Sequence, residues 1–467
     1  MKKLSASQIV LLSFLAAILC GAGLLMLPAA LKDGQKISFI DSLFTSTSAT
    51  CVTGLTVKDT GTFFSNFGQA VILLFIQLGG LGIMTFSTLF AVFLGRKMTM
   101  SQSLNTKDAL GVDGIDGLKE LIVYIVLIAF GIELIGAVIL YLRLSATTQL
   151  PCLSMIKNAT FHSVSAFCNA GLSLYPDNLT SWRNDAILML TIIGLIIIGG
   201  LGFVVILNMP RLRFYIPFFR ARNLARQAQS GIKNPLVHKI NLQTKVVLLV
   251  TAVLLLIGTA AVLLFEYNGT LQGMTWKEKF LSAFFTAVTP RTAGFNVIST
   301  AGLQVATKFL IIILMFIGAS PGSTGGGIKT VTLAVLMTGF FAMLKSRDRI
   351  FLFGRTVTKD AFRRAVAVFV LAAGLIAVST LLLAITEKAC SGANDFFLNM
   401  LFETTSAFGT CGLSADVTPQ LSALGKIIII ITMFVGRVGP LTAALALAMR
   451  PEKKIDYCYP EEKIMIG

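Results

Sequence analysis

The chain has 467 residues, 55% of them hydrophobic and 13% charged, with a formal net charge of +17. Soluble domains average about 45–50% apolar and about 25% charged residues, so this composition excludes an ordinary water-soluble domain and points into a bilayer. The positive charge does not point to nucleic acid, because it is concentrated in segments between apolar runs, where it reads as a topology signal.

Apolar runs occur, in chain order, at residues 9–31, 70–93, 121–142, 187–207, 246–265, 309–344, 365–385 and 427–449. A hydrocarbon core of ~30 Å takes about 20 helical residues, so eight spanning helices are predicted. They form one membrane domain over 1–467, with units near 1–100, 115–210, 240–346 and 360–450 and a tail at 451–467. Lys2 and Lys3 before the first run resemble a secretory signal. The run is longer than a signal core of roughly 7–15 residues, however, and lacks a small-residue cleavage site. Leu19 before Cys20 is too large for lipoprotein cleavage, so residues 8–31 are expected to stay as a helix.

Each first crossing is followed by a short apolar stretch, at 39–48, 155–165, 280–288 and 396–406. About ten helical residues cover only ~15 Å, enough to enter a membrane but not to cross it. A repeated segment comes next. Thr50, Cys51, Val52 and Thr53 lead to Gly54; Cys168, Asn169 and Ala170 to Gly171; Arg291, Thr292 and Ala293 to Gly294; Gly409, Thr410 and Cys411 to Gly412. Each glycine precedes Leu or Phe and then Thr, Ser or Asn, and the intervals between glycines are 117, 123 and 118 residues.

The predicted fold is an all-α polytopic membrane protein. Its four parallel helix–pore-loop–helix units stand in pseudo-fourfold arrangement around one pore. Non-helical backbone at membrane depth is tolerated only where it is buried in protein or lines a water-filled cavity. Loops of this kind strip water from a cation by offering backbone carbonyls. Successive carbonyls face one way only if the backbone visits conformations that glycine adopts at low cost. The half-helix C-terminal ends add negative dipole character.

After each loop the second crossing carries glycines: Gly79, Gly80 and Gly82; Gly199, Gly200 and Gly202; Gly318; and Gly436 and Gly439 around Arg437. In the third unit Gly318, Ala319, Ser320, Pro321, Gly322, Ser323, Thr324, Gly325, Gly326 and Gly327 interrupt the apolar run. Proline and a glycine cluster break helices, so an unwound loop beneath the filter is expected there alone. It is not a phosphate-binding loop, since no GK[ST] ending is present. Arg437 either donates to this loop's free carbonyls or pairs with Glu133. Asp59, Asp177 and Asp416, just past the loops, read as helix caps or as cation-concentrating groups at the outer mouth.

Residues 211–245, 345–364 and the segments on the same side hold 25 of the 39 basic residues, which places that side and both termini in the cytoplasm of a cell membrane. The seven cysteines form no CxxC pair, although Cys152 and Cys390 lie on outer segments and can pair. His162 and His238 cannot build a histidine metal site. No titratable constellation marks an enzyme. The competing reading is an alternating-access cation carrier, which has no need of four re-entrant loops on one side.

Across essentially the whole chain, the loop segments, residues 290–295 and the glycine-rich tract resemble the Ktr/Trk/HKT superfamily of potassium transporters. The first loop comes early and the ending 460–467 is Ktr-like, so the resemblance is to the Ktr membrane subunit. Glycine at all four filter positions then implies K+ as the ion, with Na+ as an activating or coupled ion left open. The resemblance also assigns residues 318–327 and Arg437 to an intramembrane gate. As partners it implies a homodimer on a ring of cytosolic nucleotide-binding (RCK/KTN-type) regulatory subunits.

Overall fold

The computed structural model describes residues 6–82, 118–208, 241–347, 349–387 and 395–447. Within them the structure is helical apart from a two-stranded hairpin, β1 (Ile350–Leu352) and β2 (Arg355–Val357). The same order of elements occurs four times. A long helix leads through a connection to a shorter helix, then to a glycine-containing loop, then to another helix. The long helices are α1 (Ala6–Leu25), α4 (Leu118–Thr147), α8 (Leu242–Glu266) and α12 (Lys359–Thr386). Each contains a stretch long and apolar enough to cross a membrane.

The short helices preceding the loops are α2 (Phe39–Thr50), α5 (Cys152–Phe167), α9 (Trp276–Val288) and α13 (Phe396–Gly409). They are longer than the apolar stretches predict: α2 and α13 run on at their C-terminal ends, α5 begins earlier, and a polar first turn extends α9. At α9 a capping box does this: Thr275 accepts from Glu278 N while the Glu278 side chain accepts from Thr275 N. Ser38 caps α2 by accepting from Asp41 N.

The second helices are α3 (Asn66–Leu81), α6 (Ala186–Leu201), α10 (Val305–Phe316) and α14 (Ala423–Val438). Side chains of Ser65, Asp185 and Ser422 cap α3, α6 and α14, each worth about 1 kcal/mol. The expectation of a break in the third unit alone is corrected here. Gly82, Gly202 and Gly439 end α3, α6 and α14 at φ of 84°, 90° and 96°. These are left-handed conformations open to glycine but strained for other residues. The chain resumes as α7 (Phe203–Asn208) and α15 (Pro440–Leu447). In the third unit it leaves α10 at Ile317 and resumes as α11 (Thr330–Leu344) after a longer excursion. Pro28 similarly ends the first helix early, at Leu25 rather than the predicted residue 31.

Burial is inverted relative to a water-soluble bundle. Leu134, Leu256, Leu264 and Leu381 on the long helices are more than 60% exposed, while Ser42, Thr45, Ser46, Thr47 and Ser48 on α2 are buried. Apolar side chains face outward and hydroxyls face the middle, as lipid surroundings require. The inner hydroxyls are paired: Ser42 Oγ donates to Ala22 O and Ser46 Oγ to Ile18 O, both at 2.7 Å. Lys426 on α14 and Asp41 on α2 form an ion pair of 2.7 Å, with both side chains largely buried, which ties the fourth unit to the first.

Close backbone approach sets how the second helices pack. A Cβ added at Gly79, Gly199 or Gly436 would collide with the carbonyl oxygen of Thr50, Phe167 or Phe408, at or next to the end of a short helix. Gly194, on the same helix as Gly199, has open space in that direction. Gly199→Ala is therefore expected to lower the stability of the detergent-purified protein by about 1–3 kcal/mol, as overpacking does. Gly194→Ala is expected to stay within about 1 kcal/mol of the parent. Thermal unfolding followed by fluorescence separates the two, and equal shifts would contradict this packing.

Candidate functional site

Each short helix ends in a loop whose backbone twice enters left-handed space. The first entry is at Val52 (φ 56°), Asn169 (60°), Thr292 (73°) and Thr410 (49°). The second, two residues later, is at Gly54 (92°), Gly171 (66°), Gly294 (78°) and Gly412 (90°). Non-glycine residues pay of order 1–2 kcal/mol for such φ, so the loops need external support.

Hydroxyls supply part of it. Gly54 N donates to Ser48 Oγ at 3.0 Å and Gly412 N to Ser406 Oγ at 3.1 Å. Ser165 Oγ donates to Leu172 O at 2.7 Å, and Thr289 Oγ1 donates to Phe295 O at 2.5 Å. Carbonyls at the ends of the short helices take the loop amides: Thr53 N reaches Ser48 O, Ala170 N reaches Ser165 O and Cys411 N reaches Ser406 O. The hydroxyl stands six residues before the glycine in three loops and five before it in the third, where Val288 takes the earlier place. This pin is legible in the recurring Ser-Ala at 48, 165 and 406.

The four loops meet. A Cβ on Gly54 would strike Ala170 O; one on Gly171 would press on Ala293 O and the Gly294 backbone. One on Gly294 would strike Cys411 O, and one on Gly412 would strike Thr53 O. The contacts close on themselves in one rotational sense: first loop to second, second to third, third to fourth, fourth to first. On one side of this ring lies a cavity of about 350 Å³ bordered by all four glycines and by Asp59, Asp177 and Asp416. Asp59 caps the short helical turn Thr60–Phe63 by accepting from Thr62 N at 2.6 Å, while Asp177 accepts from Ser181 N at 2.9 Å without capping a helix. The cap reading holds at Asp59. Thr50 Oγ1 and Thr53 Oγ1 are buried with no hydrogen-bond partner among the described residues. Arg291, just ahead of the third loop's first left-handed residue, is buried, and its Nε and Nη2 find no acceptor there.

Residues 318–327 pack against the ring. Gly325 and Gly326 face Thr292 and Thr410 so closely that a Cβ on either would collide with the threonine, and Gly326 N donates to Thr410 Oγ1 at 3.0 Å. Ser320 N reaches Gly200 O and Thr324 N reaches Gly199 O, while Thr324 Oγ1 donates to Phe167 O at 3.2 Å. Arg437 donates from Nη1 to Thr324 O and from Nη2 to Gly79 O. The segment is thus held by groups from the second, third and fourth units, and Arg437 links it to Gly79 O of the first. Of the two partners read for Arg437, the structure supplies the carbonyls. Glu133 instead accepts from Gln77 Nε2 at 3.0 and 3.1 Å. Lys329, which the sequence reading left unassigned, donates to Gly325 O at 2.7 Å and adds a second cation to the same segment. A lysine beside the glycine cluster of an apolar run was the available signal.

The chain matches the family model for TrkH cation transport proteins over residues 5–457. It belongs to that family. Over the whole chain and 98% of the relative, it is 38% identical to the potassium/sodium uptake protein NtpJ of Enterococcus hirae. It is 38% identical to the Ktr system potassium uptake protein B of Bacillus subtilis, over 98% of this chain and 96% of that protein. The crystal structure of the potassium transporter TrkH from Vibrio parahaemolyticus superimposes with a TM-score of 0.71 at 19% identity, covering 97% of this chain and 86% of that one. As a TrkH-family protein the chain is a helical membrane transporter and not an enzyme, in line with the predicted fold class.

Two further sequence readings concern the periphery. Cys152 is a free thiol 3.5 Å from Tyr141 Oη, whereas Cys390, Cys458, residues 211–240 and 451–467 lie outside the described residues. His162 bonds to Asn158 O at 2.8 Å and to Ser173 Oγ at 3.0 Å, and it stacks on Tyr175. It thereby braces the chain just beyond Gly171, while His238 is outside the described residues.

Proposed function

We propose that this TrkH-family protein takes up K+ through a channel-like pore whose selectivity filter is the four-loop ring. The observation that carries the reading is the closed contact of Gly54, Gly171, Gly294 and Gly412. Four equivalent loops that meet can surround one ion and replace its hydration shell with carbonyl oxygens. The filter comprises Thr50, Cys51, Val52, Thr53 and Gly54; Cys168, Asn169, Ala170 and Gly171; Arg291, Thr292, Ala293 and Gly294; and Gly409, Thr410, Cys411 and Gly412. Three carboxylates at the bordering cavity favour cations there, which supports taking it as the outer mouth. The names of relatives, potassium/sodium uptake protein and Ktr system potassium uptake protein, support the same ion class and leave a role for Na+.

Residues 318–327 form the gate in this proposal. Lying against Thr292 and Thr410, they obstruct the path on the far side of the filter, and Arg437 latches them in place. With no nucleotide-binding motif in the chain, flux runs down the electrochemical gradient, where 100 mV contributes about 2.3 kcal/mol per charge. The Ktr-system relatives support a membrane subunit that works with separate regulatory subunits. We place a homodimer on a cytosolic RCK/KTN-type ring, with both termini and the basic segments 211–245 and 345–364 facing it on the cytoplasmic side of a cell membrane.

Two outcomes test this reading. In cells lacking their own potassium systems, the parent chain restores growth at low K+. Gly54→Ser and Gly294→Ser raise the K+ KM about tenfold, equivalent to ~1.4 kcal/mol, and erode preference for K+ over Na+. Unchanged KM and preference in both variants would remove the filter assignment. In vesicles holding the purified chain alone, Arg437→Gln releases the segment and raises K+ flux about tenfold, the scale of one charge-assisted hydrogen bond. A flux equal to or below that of the parent would remove the latch.

A further inference from the structure

One of the four loops is held by a device the others lack. Glu133, in the middle of α4, is 4% exposed, and its carboxyl accepts from Gln77 Nε2 on α3 through both oxygens at 3.0 and 3.1 Å. The Cys168 thiol faces the same pair, 3.7 Å from Glu133 Oε1 and 3.6 Å from Gln77 Oε1. The thiol is boxed on its remaining side, because a Cβ on Gly80 would strike Cys168 Cβ at 2.8 Å and Sγ at 2.5 Å. Ser163 Oγ on α5 donates to Glu133 O at 2.6 Å, joining the two helices at that level.

The placement is singular. The first helices of the other units carry Ala16, Leu256 and Gly374 thirty-eight residues before their ring glycines, where the second carries Glu133. The residues corresponding to Cys168 are Cys51, Arg291 and Gly409. None of these has a carboxyl partner among the hydrogen bonds and ion pairs of the described residues. A carboxyl within a membrane span is expensive and marks function by default. Among the described residues this one has no cation beside it to offset the cost, only an amide and a thiol.

Cys168 also stands where anchoring matters most. It immediately precedes Asn169, a non-glycine residue held at φ 60°. Such a residue relaxes unless the surrounding structure fixes its neighbours. We propose that Glu133 and Gln77 are positioning residues that act through the Cys168 thiol. They fix the carbonyls of the second loop and so set how sharply the ring discriminates among monovalent cations. The inference rests on the filter reading of the ring. It goes further by assigning the selectivity of one loop to side chains that never reach the ion. Gln77 lies two residues from Gly79, whose carbonyl receives Arg437. A displacement of the latch therefore reaches the second loop along the same turn of α3.

The test is uptake of K+, Rb+ and Na+ by membrane vesicles carrying equal amounts of folded protein, for Glu133→Gln, Cys168→Ala, Cys168→Ser and the Glu133→Gln/Cys168→Ala pair. Glu133→Gln and Cys168→Ala are expected to raise the K+ KM about tenfold and lower the K+ to Na+ ratio by a similar factor. For Glu133→Gln, the maximal rate should stay within about twofold. The double variant should be no worse than either single one, as residues acting in one network behave. Cys168→Ser, which keeps a donor, should recover most of the parent ratio. A lowered maximal rate at unchanged ion ratios assigns Glu133 a merely structural role and overturns the proposal, as do additive losses in the double variant. Gly54→Ser and Gly294→Ser run beside them. If these shift the ratio and Glu133→Gln does not, the clamp fails and the filter stands. If they do not, the filter reading itself has failed.

Discussion

At four places in this protein a carbonyl oxygen occupies the space that a side chain would fill on the neighbouring loop. Ala170 O does so at Gly54, Ala293 O at Gly171, Cys411 O at Gly294 and Thr53 O at Gly412. Because the contacts close into a ring, no loop can retreat from one neighbour without moving toward the other. The remaining architecture serves this constraint. The short helices deliver each loop by its C-terminal end, and the second helices press glycines against the ends of three of the short helices at Thr50, Phe167 and Phe408. Outside, the long helices offer leucine to the surroundings.

Holding the ring in this shape requires strain to be met locally. Val52, Asn169, Thr292 and Thr410 each sit in left-handed space, at of order 1–2 kcal/mol apiece. Serine and threonine hydroxyls answer by binding the backbone across the turn. These side chains are short and buried, so their hydrogen bonds fix geometry without crowding the ring. Glu403 plays a related part beyond the fourth loop, where its carboxyl gathers Ala415 N and the hydroxyls of Ser414 and Thr418.

Much of this was legible in the chain. Apolar runs located the long helices, and the glycine spacing located the loops, because only glycine meets both the φ and the contact demanded at Gly54 and its counterparts. Helix ends were less legible. Apolarity cannot see the polar first turn of α9, which the Thr275–Glu278 capping box starts. The breaks at Gly82, Gly202 and Gly439 were hidden for another reason. A glycine within an apolar run is compatible with a continuing helix, and only the packing decides. The partner of Arg437 was open in the sequence for a similar reason. A lone charge in a span announces that it needs partners, but backbone carbonyls leave no trace in composition.

The segment 318–327 and Arg437 each occur once, although the loops they serve occur four times. A pore assembled from four identical subunits has no such freedom, since each feature of one subunit appears at every quarter turn. Four guanidiniums at one level would repel one another and any cation, and four unwound segments would compete for the same space. Covalent linkage in a single polypeptide removes that symmetry requirement while the ring keeps its fourfold likeness. The chain can therefore set a lone unwound segment against a nearly symmetric ring. Under the proposed gating, such a segment releases one guanidinium contact rather than four in concert, and its position can be tuned by a substitution that touches a single quadrant.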